Sequence, residues 1–161
     1  MQRRGFLLGG AAVVIAGGAG ALYLARTSGN TGEFPLSLTE QEWRERLTDE
    51  QFAVLRQEDT EEPFSSPLND EKRDGIFTCA GCGEDKYLSD TKFMSGTGWP
   101  SFTAPIDGAV GTRTDYKLVL PRTEVHCSNC GGHLGHIFDD GPEPTGKRHC
   151  LNGTALGFRV T

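Results

Sequence analysis

Hydrophobic and polar positions divide this chain into three regimes. Residues 5–25 are all uncharged, a run that at about 1.5 Å per residue would reach roughly 30 Å as a helix. Residues 27–35 are polar, contain glycine and show no period, which predicts a linker. From Leu36 the pattern becomes that of a folded domain. Thr39-x-x-Glu42 and Thr48-x-x-Gln51 are capping boxes, each followed by helically spaced apolar residues, Trp43 with Leu47 and Phe52 with Leu55. Two short helices are predicted. Pro63 and Pro67 then end regular structure, and from Gly75 onward the segments are short, punctuated by glycine and rich in aromatic or β-branched residues. Strands are predicted over residues 76–79, 116–120, 124–127, 135–138, 148–151 and 156–160, with turns at Asp107-Gly108 and Asp140-Gly141-Pro142. The fold class is therefore mainly β, with short N-terminal helices.

Size agrees with one domain, since 161 residues at 36% hydrophobic and 24% charged build a single modest core. The N-terminus changes the picture of where it works. Arg3-Arg4 directly before the uncharged run looks like a twin-arginine export signal over residues 1–26, which places the protein in the periplasm or at the cell-envelope exterior. A membrane anchor through residues 5–25 is the alternative. Ala19-Gly20-Ala21 fits a small-x-small cleavage rule, but Leu22-Tyr23-Leu24 still follows it, so cleaved and anchored forms both stay open. The chain then divides into signal (1–26), linker (27–35) and domain (36–161). Without the first 26 residues, 13 basic face 22 acidic residues, a net charge of −9, which excludes nucleic acid as a partner.

Four of the five cysteines form two pairs, Cys79-x-x-Cys82-Gly83 and Cys127-x-x-Cys130-Gly131. Each tight turn can present two sulfurs to one metal, and the glycine that follows tolerates the backbone conformation closing the turn. A structural four-thiolate zinc site is the expectation. It also suits a small β region with 22 glycines in the chain, where apolar area is scarce and backbone entropy is high. Two disulfides or a redox-active Cys-x-x-Cys are the competing readings, and an oxidising compartment favours them.

Cys150 is left over. Alone it reads as an inert buried thiol, but Lys147-Arg148-His149-Cys150 sets cations beside it, a setting that favours a reactive thiolate. Taken one at a time, Trp99 before Pro100 reads as core, His133-x-x-His136 as a second metal pair, and Asn152-Gly153 as a turn. Asn152-Gly153-Thr154 matches a glycosylation sequon, a common chance pattern. Together they read differently. Gly98-Trp99-Pro100-Ser101-Phe102, Thr123-Glu124-Val125, His133-Leu134-Gly135-His136, Phe138-Asp139-Asp140-Gly141-Pro142 and Arg148-x-Cys150-x-Asn152 resemble, in this order, the methionine-R-sulfoxide reductase B family.

The resemblance covers roughly residues 36–160. It implies β-tent-like antiparallel sheets, a structural zinc on Cys79, Cys82, Cys127 and Cys130, and Cys150 as nucleophile. It further implies that His133, His136 and Asn152 serve the reaction, while Arg148 and Asp140 bind the sulfoxide and Trp99 packs on its methyl group. The substrates implied are oxidised proteins or peptides, and the intermediate is a Cys150 sulfenic acid. His126 and His149 receive no catalytic role. One departure stands out: many members carry a recycling cysteine within the Gly-x-Gly-Trp-Pro segment, and here Thr97 occupies that position. An external thiol reductant, thioredoxin-like or other, is then required. Two rival functions remain at this level, a zinc-ribbon binding module without catalysis and a general thiol-disulfide oxidoreductase.

Overall fold

Both capping boxes form. In the computed structural model, which describes residues 34–161, Thr39 caps α1 (Glu40–Arg46) and Thr48 caps α2 (Asp49–Gln57), each with the reciprocal side-chain bond from Glu42 or Gln51. The expected export segment lies outside the described residues, as does most of the linker. Trp43, Phe52, Val54 and Leu55 are buried. Burying each such side chain contributes roughly 1.5–3 kcal/mol. Among the described residues no helix is long and apolar enough to cross a membrane.

Nine strands follow: β1 (Gly75–Cys79), β2 (Asp85–Leu88), β3 (Lys92–Phe93), β4 (Ser101–Phe102), β5 (Val110–Asp115), β6 (Arg122–Cys127), β7 (His133–Phe138), β8 (Arg148–Leu151) and β9 (Leu156–Val160). They build a three-stranded sheet in the order β2-β1-β9 and a six-stranded sheet in the order β3-β4-β8-β7-β6-β5. Every pairing is antiparallel. Aromatic rings join the sheets: Phe102 of β4 lies 4.9 Å from Phe77 of β1 and 4.6 Å from Tyr87 of β2, spacings at which ring pairs attract beyond their buried area. The helices close the other side, with Leu55 of α2 set against the glycines of the cysteine turns. Arg56 donates to the Cys130 carbonyl at 2.9 Å.

The strand expected over 116–120 is not there. The actual strand, β5, ends at Asp115, and residues 116–120 form an exposed loop before β6. β5 is an edge strand that pairs only with β6, so its polar sequence needs no apolar alternation and gives no periodic signal. Asp115 Oδ1 accepts from the Lys117 N–H at 2.8 Å, an Asx-type turn that redirects the chain, and Pro121 removes a ladder donor just beyond. β2, β3 and β4 were likewise invisible; β3 and β4 are two residues each, too short to carry a period.

Candidate active site and metal centre

The two cysteine turns are built alike. Cys79 ends β1 and Cys127 ends β6; the Gly83 N–H donates to the Cys79 carbonyl at 2.8 Å and the Gly131 N–H to the Cys127 carbonyl at 2.9 Å. Both glycines sit at positive φ, +80° and +67°, where a side chain is strained. The turns face each other, and the four sulfurs lie within 4.8 Å of one another. Cys79 and Cys130 are 3.7 Å apart, Cys82 and Cys127 3.5 Å. Sulfurs at about 2.3 Å from a tetrahedral zinc would be roughly 3.8 Å apart, whereas a disulfide needs about 2.05 Å. All-thiol and closed, with three cysteines buried and Cys82 half-buried, the donor set fits a structural zinc.

Cys150 lies in the middle of the six-stranded sheet, opposite Ser101 of β4 on one side and His136 of β7 on the other. Its neighbour His149 points to the core and meets the Tyr87 hydroxyl at 3.0 Å, since successive strand residues alternate faces. β7 approaches β8 so closely that a Cβ at Gly135 would come 2.1 Å from the Cys150 carbonyl oxygen. Glycine is required there to bring the histidine strand against the thiol.

A cleft of about 120 Å³ opens at Cys150, lined by Trp99, His136 and Asn152 and also by Thr60, Arg122 and Phe138. Its volume is that of a few waters, the scale of one side chain. A larger cleft of about 730 Å³ between α2 and β9 contains no cysteine or histidine. The sequence-derived residues therefore split. Trp99, His136, Cys150 and Asn152 share one cavity, while His133, Arg148 and Asp140 are not among the residues that line it. Arg148 is bound by both oxygens of Asp140 at 2.8 Å each and lies 4.4 Å over the Phe138 ring. Asp140, then the nearby Cys150 sulfur, raise the guanidinium above its ordinary range against the opposing effect of burial, so a fixed cation adjoins the thiol.

His133 and His136 each have a carboxylate partner that sequence reasoning missed. His136 Nε2 is 2.8 Å from Asp115 Oδ2. The Lys117 N–H, then His136 and Arg122, hold Asp115 below the ordinary carboxylate range, so Nε2 carries the proton. Burial lowers the His136 pKa despite this bond. His133 Nδ1 is 2.8 Å from Glu124 Oε1, both side chains being 3% exposed. Burial opposes the charge on Glu124, but bonds from His133 and Arg113 outweigh it and bring its carboxyl to about 2. His133 Nε2 is buried without a hydrogen-bond partner among the described residues, and its ring lies 5.3 Å from that of His136. No local pattern announces these pairs; Glu124 was visible only as part of a motif.

Glu61 is the other residue missed. Its carboxylate accepts from the Gly153 and Thr154 N–H groups at 2.6 and 2.8 Å, and its own N–H donates to Asn152 Oδ1 at 3.1 Å. Its carbonyl accepts from Trp99 Nε1 at 3.1 Å. One residue thus ties together two walls of the cleft. Glu61→Ala is expected to lower kcat/KM by about 10- to 100-fold while the fold persists, and Glu61→Gln, which keeps one acceptor, to recover most of it. Steady-state kinetics beside thermal unfolding checks this.

The comparisons with known proteins agree with this geometry. Residues 47–160 match the SelR domain. A peptide methionine sulfoxide reductase MsrB from Methanosarcina mazei is 54% identical over 121 residues, 74% of this chain and 86% of that protein. The chain belongs to the methionine-R-sulfoxide reductase B family. Another such reductase, from Agrobacterium fabrum, is 50% identical over 118 residues, 73% of this chain and 87% of the relative. The chloroplastic reductase B1 of Arabidopsis thaliana is 50% identical over 121 residues, 74% of this chain and 60% of its own length. Membership in this family accounts for the zinc site and the antiparallel sheets, and it removes the rival readings as a bare zinc ribbon or a general oxidoreductase.

Proposed function

We propose that the protein reduces the R epimer of methionine sulfoxide in polypeptides, with Cys150 as nucleophile; the half-buried thiol shared by the cleft with Trp99, His136 and Asn152 carries this reading. The thiolate attacks the sulfoxide sulfur, with Arg148 supplying the positive charge beside it. Oxygen leaves the substrate only once protonated. His136 lines the cleft with its Nε2–H held by Asp115; in the doubly protonated form that this carboxylate supports, Nδ1–H gives the substrate oxygen its proton, and His133, held by Glu124, is the second proton carrier beside it. Attack joins the Cys150 sulfur to the substrate sulfur; as the protonated oxygen passes to the Cys150 sulfur, the substrate S–O bond and this S–S bond both break, so that methionine is released and the thiol becomes a sulfenic acid. Trp99 covers the methyl side, and Asn152, Arg148 and Asp140 fix the polar side. The zinc holds the fold and takes no step.

Regeneration is external in this reading. Thr97, not a cysteine, stands 3.8 Å from the Cys150 sulfur, and the other four thiols belong to the zinc cluster. Two external thiol equivalents then return Cys150 to the thiol and leave as a disulfide with one water. The Arg3-Arg4 signal supports a place of action outside the cytosol, on oxidised exported proteins. The test uses separate R and S epimers of a methionine sulfoxide peptide with dithiothreitol: the R epimer is reduced and the S epimer is not. Equal reduction of both, or of neither, contradicts the proposal.

A further inference from the structure

The segment expected to be a strand carries the largest exposed apolar cluster beside the cleft. Tyr116, Leu118, Val119 and Leu120 are 75%, 58%, 100% and 76% exposed. Single exposed apolar residues are ordinary, but a contiguous set marks an interaction surface. Leu118, Val119, Leu120 and Pro121 wall a groove of about 680 Å³ whose floor is Ile137 and Phe138. This groove adjoins the catalytic cleft, and Arg122 and Phe138 line both.

The loop is tethered at both ends to the site. β5 and β6 stay paired up to Asp115 opposite Arg122, and Asp115 also holds His136. Lys117 forms an ion pair with Glu58 at 2.6 Å. The cleft itself, at about 120 Å³, takes one side chain, so the neighbouring residues of a polypeptide substrate must lie outside it. Oxidation of a core methionine exposes the apolar residues around it. Resting on the catalytic reading above, we propose that residues 118–121 and the groove beneath them dock the apolar polypeptide segment flanking the sulfoxide. The occupant is thus the substrate itself, gripped on apolar neighbours while its sulfoxide reaches Cys150.

The experiment compares the full chain with its Leu118→Ser, Val119→Ser, Leu120→Ser triple variant. Two R-sulfoxide substrates are used, N-acetyl-methionine sulfoxide amide and a ten-residue peptide with leucine and valine on both sides of the sulfoxide. Because the three side chains stand in solvent, the variant is expected to fold as the parent does, which circular dichroism checks. The expected result is a loss of about tenfold or more in kcat/KM for the peptide, carried by KM, and no change for the single residue. Equal losses on both substrates, or none on either, overturn the proposal. Unchanged turnover together with lost self-association in sedimentation, or with lost binding to phosphatidylglycerol vesicles, overturns it in favour of a second copy or a lipid surface. A wild-type chain that reduces neither substrate refutes the catalytic reading, and this proposal falls with it.

Discussion

Cys150→Ser is expected to lower turnover of the R-sulfoxide by about 10³-fold or more without unfolding the protein. A serine hydroxyl is almost never ionised at neutral pH, and His136, whose basicity burial lowers, is a weak base for it. Sulfur also accepts the transferred oxygen, whereas a hydroxyl oxygen has no comparable oxidised state. The fold is spared because the thiol is only half-buried and its contact with the Thr97 hydroxyl at 3.8 Å is one a serine can replace. Its strand stays held by backbone bonds to β4 and β7. Rate and thermal unfolding of the same preparation check both halves. Residual turnover within tenfold of the parent would move the nucleophile elsewhere.

Cys127→Ser is expected to do the reverse, removing the fold and activity only as a consequence. Structural zinc sites contribute on the order of 10 kcal/mol, comparable with the whole stability of a domain of this size. Cys127 is wholly buried at the end of β6, and the cluster holds β1 of one sheet to β6 of the other. Losing one thiolate opens the tetrahedron and leaves the remaining sulfurs with an incomplete metal. Metal analysis is expected to find one zinc per parent chain and little in the variant, which should lose its cooperative thermal transition. A folded, zinc-free Cys127→Ser protein would show that the aromatic core alone suffices.

What the sequence disclosed follows from how local each determinant is. The helix starts depend on capping boxes spanning four residues, and the metal site on two turns whose glycines announce their own φ. β8 and β9 were bounded correctly, at Arg148–Leu151 and Leu156–Val160, because the local Asn152-Gly153 turn signal lies between them. The failures are all non-local. β5 takes its structure from its partner β6, and the apolar loop after it carried a strand-like composition into solvent. Glu61 lies 91 to 93 residues from the groups it holds at Asn152, Gly153 and Thr154, and Asp115 lies 21 residues from His136. Such pairs exist only once the sheets have formed, so Trp99, His136, Cys150 and Asn152 were nameable beforehand while the groups that orient them were not.

The division between nucleophile and reductant is the central claim, and one turnover without any reductant tests it most directly. The zinc-loaded chain is mixed with an excess of R-sulfoxide peptide, quenched with a sulfenic-acid trap and analysed by peptide mass spectrometry. One equivalent of methionine peptide per chain is expected, with the trap on Cys150 and the four zinc thiols unmodified. A disulfide joining Cys150 to any other cysteine of the chain, or methionine formed with Cys150 unlabelled, would contradict it.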